Sequence, residues 1–457
     1  MYKILYRKLN MLIIIFMVTC TTGCKKFLDE KPNQQLVVPT TIKDLQSLID
    51  DQALINQKEP NASVIAADNY SVRAANWTSV DELQRNMYLW SKENQFATGS
   101  NNSWVVLYSQ IYKANIVLDN MAKVNRSAGD QTEWDNVKGQ ALFIRAKCYL
   151  QGAFIWSPAY NDETSNNNLG LPLRLDPNFN VPSQRASVKQ TYLHILEDLE
   201  QASNLLPQIP LHVIRPSKPA AYGLLARTYL AMGKPDSCLK YANLCLQLKN
   251  KLMDYNGGEG VNVSAEYPFM RFNPEVIYDS YMGYPTILYY GNIDKDLYDS
   301  YADNDLRKKM YHRSSGAVDY FKGSYSGTYN LFNGIATDEI YLMRAESFAR
   351  KNDKESALND LNTLIIKRWK AGQTYIPLTA SNADEALTLV LTERMKELVF
   401  RGLRWMDIKR LNKEGANITL NRSINGQEYT LPPNDLRYAM PIPEDIITIS
   451  GMKPNPR

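Results

Sequence analysis

Tyr222 to Leu246, YGLLARTYLAMGKPDSCLKYANLCL, recurs 119 positions later as Tyr341 to Ile365, YLMRAESFARKNDKESALNDLNTLI. The two lie on one another without a gap. Tyr222/Tyr341, Ala226/Ala345, Ser237/Ser356, Leu239/Leu358 and Asn243/Asn362 are identical, and Tyr229/Phe348 is an aromatic match. Each copy reads as two helices around a short break, at Gly233-Lys234-Pro235-Asp236 and at Asn352-Asp353-Lys354-Glu355. Gly and Asn tolerate the left-handed conformation that ends a helix, and Pro235 suits the first turn of the next. In the second helix Cys238, Ala242, Cys245 and Leu248 form one apolar stripe, as do Ala357, Leu361 and Leu364. One stripe per helix means that each hairpin needs a neighbour to cover it. A small Ala beside a bulky Tyr or Phe is the tetratricopeptide way of packing two helices closely. The predicted fold is mainly α, built of tetratricopeptide-like hairpins with little β.

A chain of 457 residues, 44% hydrophobic and 22% charged, buries a large core. Its aromatics are mostly amphipathic, 29 Tyr and 7 Trp against 12 Phe, which suits wet binding surfaces as well as cores. The first residues read as a secretory signal: Lys3, Arg7 and Lys8 precede the apolar run Met11 to Val18, which is too short to span a bilayer. Thr21-Thr22-Gly23-Cys24 resembles a bacterial lipobox, although Thr21 stands where Leu is usual. Residues 1–23 are thus expected to be removed and Cys24 lipidated, fixing the protein to a membrane without spanning it. Three of the net four positive charges sit in that leader, so the remainder is near neutral and carries no bias toward nucleic acid. Cys148, Cys238 and Cys245 read as small core residues.

Residues 24–40 read as a polar tether, and Ile42 to Asp51 as a short amphipathic helix. A loop-rich stretch over 58–100 holds Trp77 and Trp90. Helices are expected over Trp104 to Val124, Trp134 to Trp156, Ser187 to Leu206, Thr337 to Lys370 and Asn382 to Asn412. Arg145 to Leu150 echoes the repeat at Leu225 to Tyr229. From Asn250 to Gly334 the helical pattern disappears, and Gly, Pro and many Tyr residues take its place. A long aromatic insertion of this kind is expected to be functional.

Leu391 to Leu411, LTERMKELVFRGLRWMDIKRL, is similar to the C-terminal signature of the SusD/RagB family of surface nutrient-binding lipoproteins. The residues that carry the resemblance are Glu393, Arg394, Glu397, Leu398, Phe400, Gly402, Arg404, Trp405, Asp407 and Arg410. Glu339 to Arg350, Asn273 to Tyr278, Asp305-Leu306-Arg307, Met440 to Pro443 and Cys24 to Pro32 support it. Arg401 departs from the pattern, since the family usually has Glu there. The resemblance implies four tetratricopeptide-like helix pairs, an N-terminal helical region over 41–250 and a C-terminal region over 251–457. Variable ligand loops would occupy 251–336 and the signature helices 337–412. It also implies an outer-membrane, surface-exposed lipoprotein that captures oligosaccharides or other nutrients for a SusC-like TonB-dependent transporter.

Signals for catalysis are weak. His194, His212 and His312 show no metal-ligand spacing, and no cofactor motif is evident. Gly323-Ser324-Tyr325-Ser326-Gly327 has Tyr where a nucleophile elbow needs Ser. Asp294, Asp296, Asp299, Asp303 and Asp305 lack the Gly and terminal Glu of an EF-hand and read as a solvated face. Glu393, Glu397 and Arg404 read as structural ion pairs along a helix. Trp104, Trp134, Trp156, Trp369 and Trp405 fall in helical periodicity and are expected in the core. The ligand surface is therefore expected at Trp77 and Trp90, with Tyr284, Tyr289 and Tyr290 as its second half. Two other readings stay open. One is a glycan-processing enzyme, with Asp68 and Asp81 the nearest paired carboxylates; the other is a tetratricopeptide scaffold that binds a protein in its helical groove.

Overall fold

Helices form the bulk of the ordered elements, and most of them pack on a neighbour in sequence. The structure is a computed structural model that describes residues 39–99, 102–316 and 318–457. The leader, Cys24 and nearly all of the tether lie outside the described residues. Among the described residues the helices of eight residues or more are α1 (Ile42–Ile49), α2 (Ser103–Met121), α3 (Gln131–Trp156), α4 (Val188–Leu205) and α5 (Lys218–Ala231). They continue with α6 (Pro235–Leu248), α7 (Thr337–Arg350), α8 (Lys354–Ile365), α9 (Ala383–Glu397) and α10 (Arg404–Lys413). Among the described residues strands come only as short antiparallel pairs.

The duplicated stretch is the pair of hairpins α5/α6 and α7/α8. Gly233 and Asn352, equivalent across the repeat, both take the left-handed conformation, with φ of 68° and 62°. Pro235 opens α6. Ala226 and Ala345 are fully buried, as are Cys238, Ala242 and Cys245; Leu248, at the end of the stripe, is 38% exposed. Gly223 permits the close approach of α5, because a Cβ there would lie 2.8 Å from Ile335 and 3.0 Å from Ile340. The echo in α3 is structural too. After the small Ala146, Ala226 or Ala345 comes a buried charge, Lys147, Arg227 or Glu346, and each is paired. Lys147 meets Glu59, Arg227 meets Glu339 at 2.6 and 2.8 Å, and Glu346 meets Arg410. A buried charge left unpaired would be strongly destabilising, so these pairs fix how successive hairpins dock.

Some expectations fail in detail. The signature stretch forms two helices, because Phe400 (φ 58°) and Gly402 (φ 74°) break it between α9 and α10. The carboxylates of α9 pair with distant segments as well as along their own helix, where Glu393 accepts from Lys396 at 2.7 Å. Glu393 and Glu397 both engage the buried Arg307, and Glu397 also engages Arg368. Trp104, Trp156 and Trp405 are core residues. Trp134 is half-buried, and Trp369 lies beyond the end of α8 with its indole N–H on the Thr374 carbonyl at 3.1 Å. The 58–100 stretch contains short helices at Ala62–Ala66 and Glu82–Tyr88 as well as loops. Among the described residues no helix is long and apolar enough to cross a membrane.

α6 packs directly on α7, so the whole 250–334 stretch leaves the helical stack and returns to it. Its root is tied to the signature helices by buried polar groups. Arg368 bridges Glu275 and Glu397, while Tyr325 donates to Glu275 at 2.9 Å and shares a 2.7 Å hydrogen bond with Tyr255. The insertion is thereby anchored at its root to the helical stack.

An aromatic strip as candidate ligand-binding face

Two segments far apart in sequence build the face. Tyr70–Val72 pairs antiparallel with Gly291–Ile293, in the register Tyr70 opposite Ile293. Arg73 extends the junction: its backbone N–H and Nε donate to the Tyr290 carbonyl, and Nη2 donates to the Tyr289 carbonyl at 3.3 Å. The 3-10 turn Ala74–Ser79, which carries Trp77, is thus fastened to the 3-10 turn Thr286–Tyr290.

Of the five aromatic residues expected at the face, Tyr284 and Tyr289 are in ring contact. Tyr284, half-buried against the core, sits 5.0 Å from the ring of the exposed Tyr289. Tyr290 follows it in the same turn and is half-buried. Trp77 is also half-buried; its ring lies 5.8 Å from Tyr88, and Arg85 sits 5.9 Å from its centroid, so part of the indole is covered from within the protein.

Trp90 is a correction. It is 2% exposed, its indole N–H donates to the Ala66 carbonyl at 3.0 Å, and the Arg422 guanidinium covers the ring at 5.2 Å. With no free face, it is a core residue. Lack of helical periodicity in the flanking sequence signals a break in the helices, not exposure.

The strip runs further than the sequence indicated. Tyr329, 52% exposed, meets Tyr284 edge-on at 6.2 Å. On the same insertion the planar guanidinium of Arg271 lies 5.1 Å from the Tyr281 ring and 4.5 Å from that of Phe272. His212 closes the far end, edge-on to Phe272 at 4.4 Å. Arg271 is held by Asp279 at 2.8 Å; burial raises that carboxyl against the pull of the guanidinium. Phe272 adopts φ 61°, a costly conformation for a bulky side chain, and leaves its ring 39% exposed. Tyr329 sits in a Gly- and Ser-rich turn, and that turn was the only local signal for it.

The face offers flat rings, a guanidinium and peptide groups. A pyranose presents a patch of C–H groups that covers such a ring, while its hydroxyls reach polar neighbours. The paired carboxylates considered for hydrolysis have other work. Asp68 accepts two bonds from Arg404, at 2.8 and 2.7 Å, and Asp81 caps the helix Glu82–Tyr88. In the acidic cluster Asp294 is a helix cap, Asp299 pairs with Lys295, Asp303 with Lys308 and Asp305 with Arg307. Tyr325, at the failed nucleophile elbow, is fully buried.

Comparison with known proteins agrees with this architecture. Residues 26–230 match the family described as starch-binding associating with outer membrane, and residues 337–452 match the SusD family. The chain belongs to the SusD/RagB family. Most of the aromatic strip lies in the stretch between the two matches. The SusD-like protein P25 of Formosa agariphila is 24% identical over 174 residues, which span 33% of this chain and only 30% of that relative. Among solved structures, a SusD superfamily protein from Bacteroides thetaiotaomicron aligns with a TM-score of 0.72 at 20% identity, over 91% of this chain and 100% of the other. A SusD-like carbohydrate binding protein from Bacteroides vulgatus aligns with a TM-score of 0.67 at 20% identity, over 90% and 97%. At such identities the likeness is one of fold.

Proposed function

We propose that the chain is a surface-exposed outer-membrane lipoprotein that binds oligosaccharides without chemical change and passes them to a SusC-like TonB-dependent transporter. The observation that carries the reading is the set of partly exposed rings on the insertion, Phe272 and Tyr281 about Arg271 and Tyr329, Tyr284 and Tyr289 in mutual contact. A strip several rings long fits an extended chain of sugar units better than a single small molecule, and Trp77 flanks it. The bond from Arg73 to the Tyr289 carbonyl fastens the backbone turn that carries this ring, which reduces the ordering cost of binding. Family membership supports the partner and the membrane, and a lipid on Cys24 would supply the anchor.

Titration calorimetry of the full chain with a panel of oligosaccharides tests the reading, with chromatography of the same samples afterwards. Saturable heat with unchanged sugars is the expected result. Cleaved products would turn the assignment toward an enzyme, and no binding across neutral and charged glycans would remove it.

A further inference from the structure

A cavity of about 330 Å³ opens between the end of α3, the 158–169 loop, α10 and the segments 434–439 and 455–456. It shares no residue with the aromatic strip. Lys409 of α10 lines it and is 5% exposed. Its Nζ donates to the carbonyls of Phe154 at 2.7 Å and Ser157 at 2.5 Å, where α3 ends. An ammonium has three donors, so one remains.

No carboxylate forms an ion pair with Lys409 among the described residues. On its own helix Asp407 is engaged by Arg394 and Arg410, and Arg410 is engaged by Glu346. Asp435, the one acid among the lining residues, is held by Arg437 through both oxygens at 2.9 Å. Lys413 on the rim is exposed and adds positive charge. Burial alone brings the Lys409 ammonium down to about 7. The end of a helix offers a fraction of a charge, less than a buried cation needs. Around the same cavity stand the amides of the exposed Asn167 and Asn434 and of the half-buried Asn168, which donates to Thr164 Oγ1 at 3.0 Å.

We propose that this cavity is a second ligand site, for a small carboxylate-bearing molecule of sugar-acid size. The carboxylate takes the remaining Lys409 donor, and hydroxyls face the amides of Asn167, Asn168 and Asn434. The site stands whether or not the strip binds oligosaccharide. A lysine that merely caps α3 would leave the cavity indifferent to charge.

The test is calorimetry of the full chain with D-glucuronate and D-galacturonate, with D-glucose as the neutral control. At least one acid is expected to bind and glucose not. Affinity should fall about tenfold from about pH 6 to about pH 8, as Lys409 loses its proton. Lys409→Gln also removes the cap of α3, so a wall variant carries the test. Ala159→Trp, which fills the cavity, should weaken binding at least about tenfold, while Tyr289→Ala should leave it unchanged. Absence of heat with both acids would overturn the proposal. So would equal binding of glucose, or full affinity in a folded Ala159→Trp variant.

Discussion

Arg401 and Asp338 form a buried bidentate ion pair, Nη1 to Oδ1 at 3.1 Å and Nη2 to Oδ2 at 2.6 Å. The guanidinium also lies 4.2 Å from the Tyr325 centroid. The family usually carries Glu at the position of Arg401, and here the reversed charge is answered by an acid at the start of α7. The pair joins the break between α9 and α10 to the helical stack and to the root of the insertion.

Arg401→Glu would restore the usual residue type and place a second carboxylate against Asp338. Losing one partner of a buried pair costs about 3–5 kcal/mol, so the variant should unfold at much lower denaturant. Asp338→Arg combined with Arg401→Glu should recover part of the loss. Denaturant melts of the three variants check this, and an unperturbed single variant would refute the structural weight given to the pair.

Tyr289 and Trp90 should separate surface from core. Tyr289→Ala is expected to weaken oligosaccharide binding by about 1–3 kcal/mol with little change in melting temperature. Trp77→Ala should weaken binding similarly and also lower stability, because the ring packs on Tyr88 and Arg85. Trp90→Ala should cost about 3–5 kcal/mol of stability and leave the affinity of the folded fraction intact. Calorimetry paired with melting curves reads both; a Tyr289→Ala protein with full affinity would remove that residue from the site.

His312 should make the fold acid-sensitive. It is buried among Tyr298, Tyr301, Tyr311 and Phe321, neither ring nitrogen has a partner, and burial lowers it from 6.5 to about 3. A depressed histidine contributes stability that is present above 6.5 and lost as pH falls toward 3, a loss on the order of 4 kcal/mol. Glu275, raised from 4.5 to about 7 by burial, works the other way and costs stability as pH rises from 4.5 through about 7. The difference between wild type and His312→Phe in urea midpoints across this range isolates the histidine. Parallel pH profiles for the two proteins would contradict the assignment.

Cys24→Ser should release the protein from membranes of the native host, whereas the wild type should fractionate with the outer membrane and begin at an acylated Cys24. Fractionation with intact mass measurement checks it, and an unmodified mature N-terminus at another residue would end the lipoprotein reading.

The helical hairpins were legible in sequence because their determinants are local. A 3.6-residue apolar period, a Gly or Asn at the left-handed position and a Pro in the first turn act within a few residues of one another. Gly233 and Asn352 show this directly, taking nearly the same φ from different side chains. The binding face was only half legible. Lack of helical period sets Trp77, Trp90 and the tyrosines of 281–290 apart from the helix stripes, but exposure depends on which distant segment packs against each ring. Arg422, more than 300 residues away in the chain, buries Trp90. The pairing of Tyr70–Val72 with Gly291–Ile293 brings the Trp77 turn to the Tyr289 turn. Arg401 likewise gave no sign of Asp338. By itself the sequence determined the helical repeat and the family signature, whose cues are short-range. Tertiary structure alone decided which aromatics face solvent and which acid answers each buried arginine, since burial and ion pairing depend on contacts between residues far apart in the chain.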